Sequence, residues 1–228
     1  MTKNIALTLA AFAFLGFSAC TDAPESDSAK TSEAKDVAST TGDSYKVDPS
    51  ASKIEWIGTK VTGYHQGEIG IKNGELTVAG GEITGGNFVF DITSIKVNDK
   101  ATSSNRKLGG HLQSADFFDA ANHPEGTFAI TSIKAFTGTV TDSADQRQEA
   151  ISKYKVSNPT HTISGNLTLK GITKNIEFPA KVTVTGTEVD ALAKFNIDRK
   201  QWNIVYAGKP DDLIRDQVHL GISLKAKK

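Results

Sequence analysis

The side chains able to do chemistry are few and scattered. There is one cysteine, Cys20, so an internal disulfide, a thiolate zinc site and a CxxC redox pair are all excluded. The five histidines are His65, His111, His123, His161 and His219, and no two of them have the i, i+4 helical spacing of a zinc motif. His111 and His123 could meet near a loop around a metal, or His123 could simply organise the turn before Pro124. Serine, histidine and aspartate are all present, but no GxSxG elbow holds a nucleophile, and no glycine-rich phosphate loop follows a strand and opens a helix. The carboxylates Asp211 and Asp212 follow Pro210 in a polar stretch and read as solvated. No catalytic constellation and no cofactor site emerges, and the expectation is a protein that is not an enzyme. The chemistry left to such a chain is binding.

Charge points the same way only after the chain is divided. Across 228 residues, 26 basic and 26 acidic side chains cancel, so there is no basic footprint for nucleic acid. The first twenty residues, MTKNIALTLAAFAFLGFSAC, carry Lys3, an apolar stretch from Ile5 to Phe17 and small residues before Cys20. This is the layout of an export signal, and the apolar run is short for a membrane span. Ser18, Ala19 and Cys20 resemble the bacterial lipobox, with Phe17 where leucine is usual. Residues 1–19 are thus expected as a lipoprotein signal peptide, with Cys20 as the lipidation site that anchors an envelope protein to the membrane. Ordinary signal-peptidase cleavage beside an incidental cysteine is the alternative. From Thr21 to Ser44 six acids face two lysines, and Val37 is the one large aliphatic residue. Such composition cannot bury enough apolar surface to offset ordering entropy, so residues 20–44 are expected as the lipidated Cys and a disordered acidic tether. The acids soon after Cys20 also resemble the surface-export signals of some Bacteroidetes lipoproteins, or they form a merely soluble linker. The remaining Tyr45 to Lys228 hold 23 basic and 20 acidic residues, a mild net +3.

The elements that must position any binding site are strands. Beyond Tyr45 the apolar pattern has period two. Ile54, Trp56 and Gly58 share a face, as do Phe88, Phe90 and Ile92, and the cleanest alternation runs Val218, Leu220, Ile222, Leu224. Phe128 and Ile130 alternate and then change phase at Ile133, which implies a bulge. Turns such as KNGE, AGGE, TGGN and VTGTE separate the runs. Long strands and short turns favour an antiparallel β-barrel over a sandwich, since closure removes exposed edges. One helix is expected over SSNRKLGGHLQSADFF from Ser103, across a barrel mouth or against its wall. A weaker, polar one is expected over DSADQRQEAISKYK from Asp142.

Four segments together resemble the YceI-like, polyisoprenoid-binding family: YKVDPSASKIEWIGTKVTG, LQSADFFDAANHPEGTFAITSI, ISGNLTLKGITKNIEFPAKV and AKFNIDRKQWNIVYAGKPDDLIRDQVHLGISLKA. The resemblance spans essentially all of residues 45–228. It implies an all-β, lipocalin-like antiparallel barrel with one or two short helices and an internal apolar channel. In some members that channel holds an isoprenoid or another long-chain amphiphile, so a long-chain isoprenoid or lipid is the implied ligand. A role beside electron transport is a fainter implication. The sequence departs from the family pattern at the early histidine, where the nearest is His65, and in a longer excursion over residues 138–160. Inward alternation within such a barrel places Trp56, Phe88, Phe90, Phe128, Ile130, Phe195 and Leu220 as candidate lining. Gly58, Ala191 and Ala193 would leave space beside them. Arg199 and Trp202 in FNIDRKQWNI match the family pattern. There Arg199 could stack on Trp202 or pair with Asp198 or another carboxylate, closing the barrel or touching a ligand head group. Two readings remain open: a tethered carrier of a hydrophobic molecule, and a structural or adhesive envelope protein whose barrel is filled by side chains. The oligomeric state is open as well, a homodimer included.

Overall fold

The computed structural model describes residues 22–99, 102–138 and 153–228. The expected export signal, Cys20 and the stretch of the second helical candidate up to residue 152 lie outside the described residues. Along the chain come β1 (Lys30–Glu33), β2 (Asp43–Val47), β3 (Lys53–Lys60), β4 (Gly63–Ala79) and β5 (Glu82–Val97). After helix α1 (Thr102–Gln113) follow β6 (Glu125–Ala135), β7 (His161–Leu169), β8 (Ile172–Val184) and β9 (Glu188–Asp198). A 3-10 turn (Arg199–Trp202), β10 (Gly208–Lys209) and β11 (Asp212–Lys227) complete the order.

Eight of these strands close a barrel. Each of β3 to β8 lies antiparallel to the next, β9 pairs with β11, and β11 returns to β3. Alternation fixes which side chains face inward, and register aligns them: Leu220 of β11 stands opposite both Trp56 of β3 and Phe195 of β9. The phase change expected after Ile130 is a register shift between Ile130 and Ser132 on β6. Strand β2 occupies the same slot as β3, since it too pairs with β4 and β11. The break between them is the turn at Asp48, whose Oδ1 accepts from the Ser50 and Ala51 amides at 3.0 and 3.2 Å.

Strand directions define two ends. At one, the helix end, lie the β3–β4 turn, α1, the β7–β8 turn and the loop from Arg199 to Asp212. At the far end lie the β4–β5 and β8–β9 turns. Helix α1 is shorter than its sequence suggests. Past Gln113 the chain turns, with the Ser114 hydroxyl donating to the His111 carbonyl and Asp119 adopting φ 49°. Phe117 and Phe118 therefore leave the helix and fold under it.

The expected disordered tether is not what the structure shows for residues 22–42. Strands β8 and β9 pair directly only over Ala180–Val184 and Val189–Ala193, and they part toward the helix end. Residues 27–33 fill that gap. Strand β1 pairs with β8 from Lys30↔Glu177 to Glu33↔Lys174, and the Ala29 amide donates to the Asn196 carbonyl at 2.9 Å. The Asn196 amide in turn donates to Asp27. Farther on, the Ala38 amide donates to the Ile130 carbonyl at 2.9 Å, where β5 and β6 have separated. Between these two seams the segment crosses the outside of the barrel as a strap. Asn166 clamps it there, accepting from the Lys35 amide at 3.0 Å and donating to the Lys35 carbonyl at 2.7 Å. Beneath the clamp, Asn175 is fully buried and bonded to Thr131, Ser164 and Asn166. The strap's acids meet domain bases, with Glu33 on Lys174 and Asp22 on Arg215 at 2.6 and 3.1 Å.

Candidate functional site

The barrel is not filled. An elongated cavity of about 540 Å³ runs through it, within the roughly 300–1,000 Å³ of small-molecule sites. Its walls are the inward faces of the strands. Ile54, Trp56 and Gly58 come from β3, Phe88 and Phe90 from β5, and Val218, Leu220, Ile222 and Leu224 from β11. Small residues keep it open: Ala180 of β8 stands opposite Ala193 of β9, and neither reaches the barrel axis.

Aromatic rings form one side. Phe178 and Phe195 stack at 4.1 Å and 15°, Phe128 tilts against Phe178 at 5.9 Å, and Phe88 against Phe128 at 6.2 Å. Two of the rings lie flat on neighbouring backbone. A Cβ at Gly126 would fall 2.0 Å from Phe90, and one at Gly165 would fall 2.1 Å from Phe128. Glycine at these two positions lets each ring turn down against the wall rather than across the cavity.

The polar lining residues all lie at the helix end. They are Thr59, Lys60, His65, His111, Arg199, Tyr206, Lys209 and Asp212. Lys60 and Asp212 form a close ion pair, and Asp212 also accepts from the Thr62 amide and hydroxyl. The Lys60 bond is the main reason the Asp212 carboxyl is lowered to about 2. His65 Nδ1 meets Asp99 at 2.5 Å. His111 of α1 contacts Asp116 at 3.0 Å and packs edge-on against Phe117 and Tyr206. With Leu108 and Leu112 of α1 also in the lining, the helix roofs this end of the cavity. The site is thus an apolar tube with one polar mouth, able to remove a chain-like apolar molecule from water and leave its head among hydrogen-bonding groups.

Of the sequence-derived lining candidates, Trp56, Phe88, Phe90, Phe128, Ile130, Phe195, Leu220 and Arg199 all border the cavity. Trp202 does not reach it. Its side chain is wholly buried, and Nε1 donates to the Leu167 carbonyl at 3.0 Å, pinning the 3-10 turn to β7. Arg199 is 4% exposed and spends its guanidinium on the wall. It donates to the carbonyls of Ile204, Ile214 and Arg215 at 2.5, 3.4 and 3.1 Å. Its carboxylate partner is Asp216 at 3.3 Å, not the adjacent Asp198. Burial lowers the Arg199 pKa, and Asp216 opposes that shift. Both residues fasten the 3-10 turn, so neither is placed as a head-group contact.

Sequence reasoning missed the α1 residues, Phe178, Tyr206 and the two mouth lysines. Phe178 carried a usable signal, since Ile176, Phe178 and Ala180 alternate on β8. Tyr206 and Lys209 carried none, because the loop that holds them has no periodicity. His123 packs on Gly171, whose φ is +73°. Among the described residues no three histidine, cysteine or acidic side chains gather as a metal site.

Known proteins share both pattern and architecture. The chain is 31% identical over 111 residues to a UPF0312 protein of Azotobacter vinelandii, covering 45% of this chain and 47% of that one. It is 28% identical over 99 residues to a UPF0312 protein of Pectobacterium carotovorum, covering 43% and 41%. The chain thus spans less than half the length of the curated relatives it matches. Among solved structures, BcnA of Burkholderia cenocepacia superposes with a TM-score of 0.58 at 18% identity, covering 78% of this chain and 98% of that one. A polyisoprenoid binding domain from Saccharophagus degradans, implicated in plant cell wall breakdown, gives 0.57 at 14% identity, with 80% and 97% covered. At these identities the likeness is one of fold. The family model described as the YceI-like domain matches residues 45–226, the span that builds the barrel and its cavity, and the chain belongs to that family.

Proposed function

We propose that the protein binds a long-chain hydrophobic molecule in its barrel and carries or sequesters it in a bacterial cell envelope. The observation that carries this reading is the open tube of about 540 Å³, apolar along its length and polar at one end. An isoprenoid, an isoprenoid quinone or a fatty-acyl amide has the matching layout of apolar chain and hydrogen-bonding head. The name of the Saccharophagus degradans neighbour supports the same ligand class. A side-chain-filled barrel, the premise of the adhesive alternative, does not fit this cavity.

The envelope placement rests on the signal-like first nineteen residues and on Cys20 as acyl acceptor. Palmitate labelling of the chain, lost in Cys20→Ala, is the expected result there; labelling that persists in the variant sinks the anchor.

Native mass spectrometry and organic extraction of protein purified from its own host test the ligand. A co-purified polyprenyl or acyl compound is expected, released on denaturation. Absence of any such compound, together with failure of fluorescent polyprenyl and fatty-acid probes to bind, overturns the reading.

A further inference from the structure

We propose that the helix end of the barrel docks on a phospholipid bilayer, so that the cavity mouth opens against the membrane. Four large apolar side chains are strongly exposed among the described residues, and three of them, Tyr64, Val205 and Leu213, ring this end at 57%, 55% and 46% exposure. Tyr64 opens β4 beside the β3–β4 turn, and the Leu213 carbonyl on the neighbouring strand accepts from Val61 at 3.2 Å. Val205 lies between Ile204 and Tyr206 in the loop held by Arg199. None of the three borders the cavity, so their exposure is not explained by the ligand site. The fourth, Val37, sits on the strap.

Asp22, where the described N-terminal segment begins, lies at this same end. Asp22, two positions after Cys20, pairs with Arg215 at 3.1 Å, one residue from Ile214, which stands opposite Lys60 at the rim. An anchor at Cys20 would therefore hold the mouth, not the far end, next to the bilayer. Several charges at the rim are paired internally: Lys60 with Asp212, and Lys200 with Asp216 at 2.8 Å. Lys170 donates to the Ala115 and Asn203 carbonyls. Docking then rests on apolar insertion rather than on attraction to anionic lipid, and it responds little to salt.

Depth-dependent quenching tests this, using the full chain with Cys20→Ala so that one introduced cysteine is unique. The fluorophore NBD is placed at Asp211→Cys on the rim or at Gly186→Cys in the far-end turn, with phosphatidylcholine vesicles containing doxyl-labelled lipid. Rim quenching about threefold or more above far-end quenching is expected, unchanged between ~0.05 and ~0.5 M salt. Adding Tyr64→Asp, Val205→Asp and Leu213→Asp should reduce rim quenching to the far-end level, with an unaltered circular dichroism spectrum and unaltered uptake of a fatty-acid probe. Equal or greater quenching at the far end overturns the proposal. So does quenching abolished by salt, or rim burial without vesicles in a dimer seen by sedimentation. Probe uptake reads the ligand site separately, so failure of docking and failure of ligand binding give different results.

Discussion

His219 shows how one residue ties the strap to the barrel. Its ring is 4% exposed, packs edge-on against Tyr154 at 5.3 Å, and contacts Asn196 Oδ1 through Nδ1 at 2.9 Å. Asn196 Nδ2 donates to the Pro24 carbonyl of the strap, so Asn196 Oδ1 faces the ring as an acceptor and Nδ1 carries the proton. Burial, with a smaller contribution from the charge of Lys194, lowers the His219 pKa from 6.5 to about 4. The unfolded chain therefore binds a proton at pH values where the folded one does not. That contribution to stability is intact above pH 6.5 and is lost as pH falls toward about 4, amounting to on the order of 2–3 kcal/mol. Urea titrations between pH 7 and pH 4 should show this slope, and His219→Gln should flatten it. An identical slope in the variant would refute the assignment. Nothing in the sequence marked His219, since its neighbours on β11 alternate as any strand does. Trp202 and Arg199 were legible as a pair that either closes the barrel or touches a head group, and sequence alone does not choose, because it cannot say whether a donor finds a backbone carbonyl or a ligand.

At the scale of elements, the strap was the least legible part. Its composition argued for disorder because the count of apolar side chains measures what a segment can bury. Residues 27–38 are held instead by their backbone groups, which complete two seams that no composition count reveals. The split of charge did carry a signal, for the acidic segment lies on a mildly basic barrel. The individual pairs are exposed and contribute about 0.2–1 kcal/mol each. The Asn166 clamp contributes more. Asn166→Ala leaves Asn175 short of a partner and should cost about 1–3 kcal/mol, with faster hydrogen exchange at Lys35 and Ala38 and little change on β11. Uniform loss of protection over the barrel would instead mean that strap and barrel unfold together. The ring-over-glycine pairs make a second test. Gly126→Ala forces Phe90 off the wall and into the cavity, which should cost about 1–3 kcal/mol and weaken probe uptake; unaltered uptake would show that the ring has room elsewhere.

For the whole molecule, the barrel and many of its inward faces were legible, because period-two alternation fixes direction on strands such as β3, β5, β6 and β11, whose inward side chains border the cavity. Whether opposing faces meet was not legible. Alternation says that Ala193 points inward, but not what stands across the axis from it. The structure answers with a gap beside Ala180 and Ala193, and a barrel of this size is large enough to stand without a disulfide while leaving that gap. Space of this kind has a sign that can be measured. In a filled core, Ala193→Phe would overpack and lower stability by about 1–3 kcal/mol. In an open tube the added ring finds contacts, so the melting temperature of delipidated protein should hold or rise. The same ring occupies ligand space, so affinity for a fatty-acid or polyprenyl probe should fall about tenfold or more, and the thermal shift that the ligand confers on the parent chain should shrink with it. Lower stability with unchanged probe affinity would mean that Ala193 faces packed side chains, and the cavity would then not be the binding site. Higher stability with lost affinity is the result that an open, ligand-taking barrel requires.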